Sequence, residues 1–141
     1  MDLDAAPPIA AAFARRMGEG MPASEVAIDI AVMWRRIEVS LVPIIGAAGV
    51  AALYKRSTLL IGESHPWLGK LNGEIGDLVV DIDSMATALA EQDGDAAAIG
   101  GGELLETFYR LLSTFIGPTL TRRLLPFMWQ SLDQQISRTS P

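Results

Sequence analysis

The stretch that decides the fold is SEVAIDIAVMWRRIEVSLVPIIGAAGVAALYKRSTLLI, residues 24–61. Its apolar residues recur every three or four positions, which is the spacing of a helix face and not of a strand. Pro43 interrupts the pattern, because proline has no N–H to donate and its ring clashes with the preceding turn. The stretch therefore predicts two helices, over residues 24–42 and 44–61, that meet at a break.

The first of these two helices is apolar around most of its circumference. A helix of this kind has to be covered on more than one side, so it is either central in the fold or shared with another subunit. One apolar face consists of Val26, Ile30, Met33, Trp34, Ile37 and Leu41, and a second apolar row consists of Ile28, Val32 and Val39.

The second of these helices opens with small residues, among them Gly46, Gly49 and Ala52. Small side chains let the backbone of another helix approach closely. Each glycine inside a helix costs about 1 kcal/mol relative to alanine, so a pair of them indicates a packing purpose. The alternative is an ordinary alanine-rich composition without a special contact.

The remaining chain predicts further helices. A short one is capped by Asp4 and ends at Gly18 and Gly20, and others cover residues 67–91, 104–116 and 118–136, with a kink at Pro126. Short connections between helices favour antiparallel neighbours. We expect an all-α bundle of about five to six helices, formed as a single domain over residues 1–141.

A glycine-rich segment, QDGDAAAIGGG at residues 92–102, separates two of these helices. Consecutive glycines offer no core side chains and have wide conformational freedom, so this segment predicts a flexible loop. The tail at residues 137–141 is expected to be frayed.

Charge and hydropathy limit the partners and the compartment. The net charge is −6, which disfavours nucleic acid and anionic membrane surfaces. The N-terminus has no basic segment followed by an apolar one, and the uncharged run at residues 39–54 is shorter than the roughly 20 residues of a spanning helix. We therefore expect a cytoplasmic protein without stable membrane insertion, and the alanine, glycine and arginine usage is compatible with a bacterial source.

The chain has little equipment for catalysis. It has no cysteine and one histidine, His65, which precedes Pro66 and is therefore disfavoured at the mid-helix position of a phosphotransfer histidine. Asp77, Asp81 and Asp83 lack histidine partners and the spacing of a calcium loop, which favours a solvated acidic face. We expect no catalytic residues, no metal and no cofactor, and His65 is expected to cap a helix or lie in a loop.

Basic residues occur mostly as adjacent pairs, and two of them are candidates for a site. Arg56 continues a row that is otherwise apolar, and Arg123 lies beside Leu124, so both are expected at the edge of the core. An arginine there needs an acceptor. One interpretation is an ion pair with a carboxylate, a second is a small anion site, and a third is a solvated helix face. The carboxylates for the first are Glu38, Glu103 and Glu106; the second combines Arg56 and Arg123 with Tyr54 and Tyr109.

These observations favour a non-catalytic interaction or regulatory module that self-associates and binds a partner protein. The predicted assembly is a two-fold symmetric homodimer. The candidate interface residues are Trp34, Gly46, Gly49, Ala52 and Trp129. The alternative is a small-molecule-binding helical domain with an apolar pocket rimmed by arginine and tyrosine.

Overall fold

The computed structural model describes residues 22–70, 80–126 and 128, and these contain five helices and no strand. The prediction of an all-α bundle is confirmed. The helix expected after Asp4, Trp129 and the tail at residues 137–141 lie outside the described residues. The helices are α1 (Ala23–Ile61), α2 (Pro66–Gly69), α3 (Ile82–Ala90), α4 (Gly94–Ile116) and α5 (Pro118–Leu124).

Helix α1 is a hairpin of two antiparallel arms. The ring centroids of Trp34 and Tyr54 are 5.1 Å apart, whereas twenty residues of straight helix would separate them by about 30 Å. The bend is at Gly46, whose φ of 81° and ψ of 160° belong to a region that glycine adopts readily. The two predicted helices are therefore present as a first arm (residues 23–45) and a second arm (residues 47–61). The break lies at Gly46, and Pro43 is accommodated within the first arm.

The core is built on the inner face of the first arm. This face packs against α4, where the rings of Trp34 and Phe108 lie edge to face at a centroid distance of 4.9 Å. Burying each large apolar side chain of this kind contributes about 1.5–3 kcal/mol. The predicted core face is confirmed, with Met33 only partly buried at its edge. The inner face consists of Val26, Ile30, Trp34, Ile37 and Leu41, all fully buried.

Helix α4 begins ahead of its predicted start and runs in the same direction as the first arm. Asp93 caps it by accepting a hydrogen bond from the Ala96 N–H at 2.7 Å. The prediction of a flexible loop at residues 92–102 is wrong, because the chain is helical from Gly94 onward. The glycines at 100–102 are buried, and an added Cβ at Gly101 would collide with Cδ1 of Ile30. Gly101 lets α4 pack closely against Ile30 of the first arm, and Gly100 lets it pack closely against Trp67 and Leu68 of α2.

The helix predicted over residues 67–91 is also interrupted. Helix α2 ends at Gly69 and α3 begins at Ile82, where Asp81 accepts a hydrogen bond from the Ser84 N–H at 3.0 Å. Asp77 lies outside the described residues, and Asp81 and Asp83 are exposed as predicted. Of the helix predicted over residues 118–136, the described residues contain α5, which ends at Leu124, two residues before Pro126.

Candidate interaction surfaces

The candidate anion-site residues do not share one environment. Arg56 and Arg123 are exposed, whereas Tyr54 and Tyr109 are buried. The prediction that Arg56 lies at the edge of the core is wrong, because that side of the second arm faces solvent and Leu60, one turn on, is exposed as well. Within the described parts of the chain, neither guanidinium forms an ion pair with Glu38 or Glu103, and both arginines lie on solvated helix faces.

The Tyr54 hydroxyl is poorly placed for anion binding. It is buried, and among residues 22–70, 80–126 and 128 it has no hydrogen-bond partner. Burial and, secondarily, the nearby Asp81 carboxylate raise the pKa of Tyr54 well above its usual range, so the phenol stays neutral. The same carboxylate would repel an anion. Tyr54 therefore acts as a core residue that packs against Trp34.

The candidate interface residues also separate from one another. Trp34 is fully buried between Tyr54 and Phe108, so of the two roles expected for it, core or interface, it takes the core role. Gly46 forms the hairpin bend, and an added Cβ there would have nothing within 4 Å. An added Cβ at Gly49 would contact only the Ile45 side chain, at 3.3 Å, and Ala52 is exposed. No helix of the described residues packs closely on this small-residue surface, so its use as an interface stays a prediction.

The unusual surface is instead the second apolar row of the first arm. Ile28, Val32 and Val39 are exposed by 62%, 52% and 76%, and Val42 extends the row by one turn. At 100° per residue these four positions lie within one narrow strip of the helix surface, opposite the inner face. We call them the outer row. Monomers rarely expose contiguous apolar patches of this kind without an interaction that uses them.

Arg35 lies in the middle of the same strip. Its guanidinium Nη2 is 3.4 Å from Oδ1 of Asp83 on α3, and both side chains are exposed. An exposed ion pair of this type contributes little to stability. The Asp83 carboxylate does offset the charge of Arg35, which is the one charged residue in the strip of the outer row.

One polar contact was missed in the sequence. Nε2 of His65 lies 2.8 Å from Oε2 of Glu103, which links the start of α2 to α4 across 38 residues of chain. His65 lies at the N-cap position directly before α2, as predicted, but its side chain makes no capping bond. No local signal identifies the partner, because the contact depends on how α4 packs. Among the described residues, no group of three or more His, Cys, Asp or Glu side chains could hold a metal ion. His65 and Glu103 therefore have no third metal-ligating side chain beside them in the described part of the chain.

By length and composition, one helix in the described part of the chain, Ala23–Ile61, is apolar enough to cross a membrane. The bend at Gly46 falls inside its uncharged run, so the two halves of that run lie side by side. A comparison of the chain with protein-family models, curated proteins and solved structures found no match. The function is therefore argued from these surfaces.

Proposed function

We propose that the chain is a helical interaction module that self-associates through the outer row of the first arm. The observation that carries this proposal is the exposure of Ile28, Val32 and Val39 on a helix whose opposite face is fully buried. Covering those side chains removes apolar area from water, which is the main favourable term in protein association. Binding of a further partner protein, a cytoplasmic location and a bacterial source remain predictions from the sequence.

A second copy of the chain fits the outer row by its spacing. Positions 28, 32, 35, 39 and 42 alternate steps of four and three residues, which is the seam along which two helices pack in a coiled coil. A two-fold axis brings the same strip of each copy together, so the surface must complement itself. Apolar side chains on both sides of the central Arg35 meet this requirement.

Two pairings of the arms satisfy the spacing. In a parallel pair each residue of the row meets its own copy, and in an antiparallel pair Ile28 meets Val42 and Val32 meets Val39. Both place Arg35 and its Asp83 partner near the axis, where two neutral ion pairs lie side by side instead of two bare charges. A polar group at such a position fixes the register of the seam at a cost in stability.

Cysteine cross-linking tests this proposal cleanly, because the chain has no cysteine of its own. We would oxidise dilute Val32→Cys and Val39→Cys variants, alone and as a mixture, with Leu59→Cys as the control. Leu59 is also exposed but lies on the second arm. A parallel pair predicts rapid cross-linking of each variant alone, and an antiparallel pair predicts it in the mixture. Cross-linking no faster than that of Leu59→Cys in every sample would overturn the proposal.

A further inference from the structure

The hairpin tip, residues 42–48 with the sequence VPIIGAA, has no polar side chain. Val42, Pro43, Ile44, Ala47 and Ala48 are exposed there. Between Glu38 and Lys55 the chain has no charged residue on either arm. The end of the hairpin is thus an exposed apolar turn.

A second turn, at Gly117, lies at the same end of the molecule. Helix α4 runs alongside the first arm, with Phe108 beside Trp34. Gly117 is nine residues beyond Phe108, about 13 Å along a helix, and the Gly46 bend is twelve residues, about 18 Å, beyond Trp34. Phe115 on this second turn is 66% exposed, and an added Cβ at Gly117 would have nothing within 4 Å.

Basic residues outnumber acidic ones in the segments that lead into and out of the two turns. Residues 39–62 and 107–126, which lead into and out of the two turns, carry five basic residues and no acidic one. Residues 80–106 carry seven acidic residues and no basic one. The net charge of −6 therefore hides a locally basic region, in which Glu38, Asp81 (near Tyr54) and Asp83 (paired with Arg35) are the acidic residues. Its basic residues are Lys55, Arg56, Arg110, Arg122 and Arg123.

We propose that the hairpin tip and the turn at Gly117 dock into one leaflet of an anionic lipid bilayer. The uncharged part of each arm is seven to eight residues long, which gives a depth of about 10–12 Å. That depth suits insertion at the boundary of headgroups and acyl chains and falls well short of the roughly 30 Å hydrocarbon core. Lys55 and Arg56 then lie at the level of the anionic headgroups, which attract them.

A lipid surface suits this tip better than a protein groove does. Protein interfaces concentrate their binding energy in tryptophan, tyrosine and arginine and use directional hydrogen bonds at the rim. The tip offers valine, isoleucine, proline and alanine and no hydrogen-bonding side chain. An acyl-chain environment requires no such bonds. This proposal uses the end of the hairpin, whereas self-association uses the side of its first arm, and Val42 belongs to both surfaces.

The test is co-sedimentation of the full chain with phosphatidylcholine vesicles, with and without phosphatidylserine. Binding is expected to the vesicles that contain phosphatidylserine and to fall as salt is raised. Ile44→Asp should weaken binding about tenfold or more, because it places a charge in the inserted tip. The matched control is Leu59→Asp, since Leu59 is exposed by 59% and Ile44 by 55% but Leu59 lies far from the tip. It should change binding less than about twofold.

Insertion is read directly from an environment-sensitive dye on a single cysteine. A dye on Ala48→Cys should shift to shorter wavelength on anionic vesicles, and a dye on Ala90→Cys, exposed on α3, should not. Val32→Asp disrupts the outer row but leaves the tip intact, so a monomeric Val32→Asp that still binds vesicles separates the two proposals. Lipid docking would be overturned if wild-type protein stays in the supernatant, or if Ile44→Asp and Leu59→Asp weaken vesicle binding equally. The hairpin tip would then be assigned to a groove on a partner protein.

Discussion

The two faces of the first arm have similar composition and opposite surroundings. The inner face, which includes Ile30 and Ile37, is fully buried against the second arm and α4, whereas Ile28 and Val39 of the outer row are largely exposed. Both faces consist of large aliphatic residues at helical spacing. Periodicity therefore identifies a face that needs cover, but it does not say whether the chain itself or a second molecule provides that cover.

The largest expected difference between the two faces comes from truncating one side chain on each. Ile37→Ala should destabilise the fold by about 2–5 kcal/mol, because it leaves a cavity in the core. Val39→Ala, two residues further along the helix, should change the free energy of unfolding of a single chain by less than about 0.5 kcal/mol. Urea unfolding followed by circular dichroism measures both. If the two variants lose similar stability in dilute protein, the outer row is covered within the chain and the contrast fails.

A second test of this contrast enlarges one glycine that packs against the inner face of the first arm and one that does not. Gly101→Leu should cost about 1–3 kcal/mol or more, because its Cβ already collides with Ile30 before the rest of the side chain is placed. Gly49→Leu is the control, since its Cβ meets only the Ile45 side chain beside an open turn. It should have a clearly smaller effect on the urea midpoint. Equal midpoints for the two variants would contradict the close approach of α4.

Much of the bundle could be predicted because helix periodicity is a local property. The inner face, the hairpin arms and the buried residues of α3 all follow from the spacing of apolar residues. The start of α4 does not, because consecutive glycines have no side chains that form a pattern. What lies opposite Gly100 and Gly101 is Trp67 and Ile30, which are distant in sequence.

The candidate site was less predictable for the same reason. Arg56 follows an apolar row in sequence, but that row passes out of the core toward the end of the second arm. Pro43 is the stronger helix breaker, yet the chain bends at Gly46, where a positive φ is permitted. The contact of His65 with Glu103 depends on the packing of α4, so neither residue indicates the other.

The smallest effect is expected at Tyr54, which closes the hairpin from the inner side. Tyr54→Phe should be neutral or slightly stabilising near pH 7, because it removes a buried hydroxyl that has no partner in the described chain. The raised pKa of Tyr54 means that the folded state favours the neutral phenol. The stability that Tyr54 contributes is therefore present below about pH 10 and is lost as the pH rises further. The variant should lose less stability than wild type in alkaline urea titrations, and an equal loss would contradict the assigned burial.

The proposed self-association requires that a second copy of the chain covers the outer row. Light scattering after size exclusion tests it most directly, with wild type, Val32→Asp and Leu59→Asp at the same micromolar concentration. We predict twice the 15.1 kDa chain mass for wild type and Leu59→Asp, and a single chain mass for Val32→Asp with its helix content unchanged. A wild-type mass of 15.1 kDa across the micromolar range would contradict the claim.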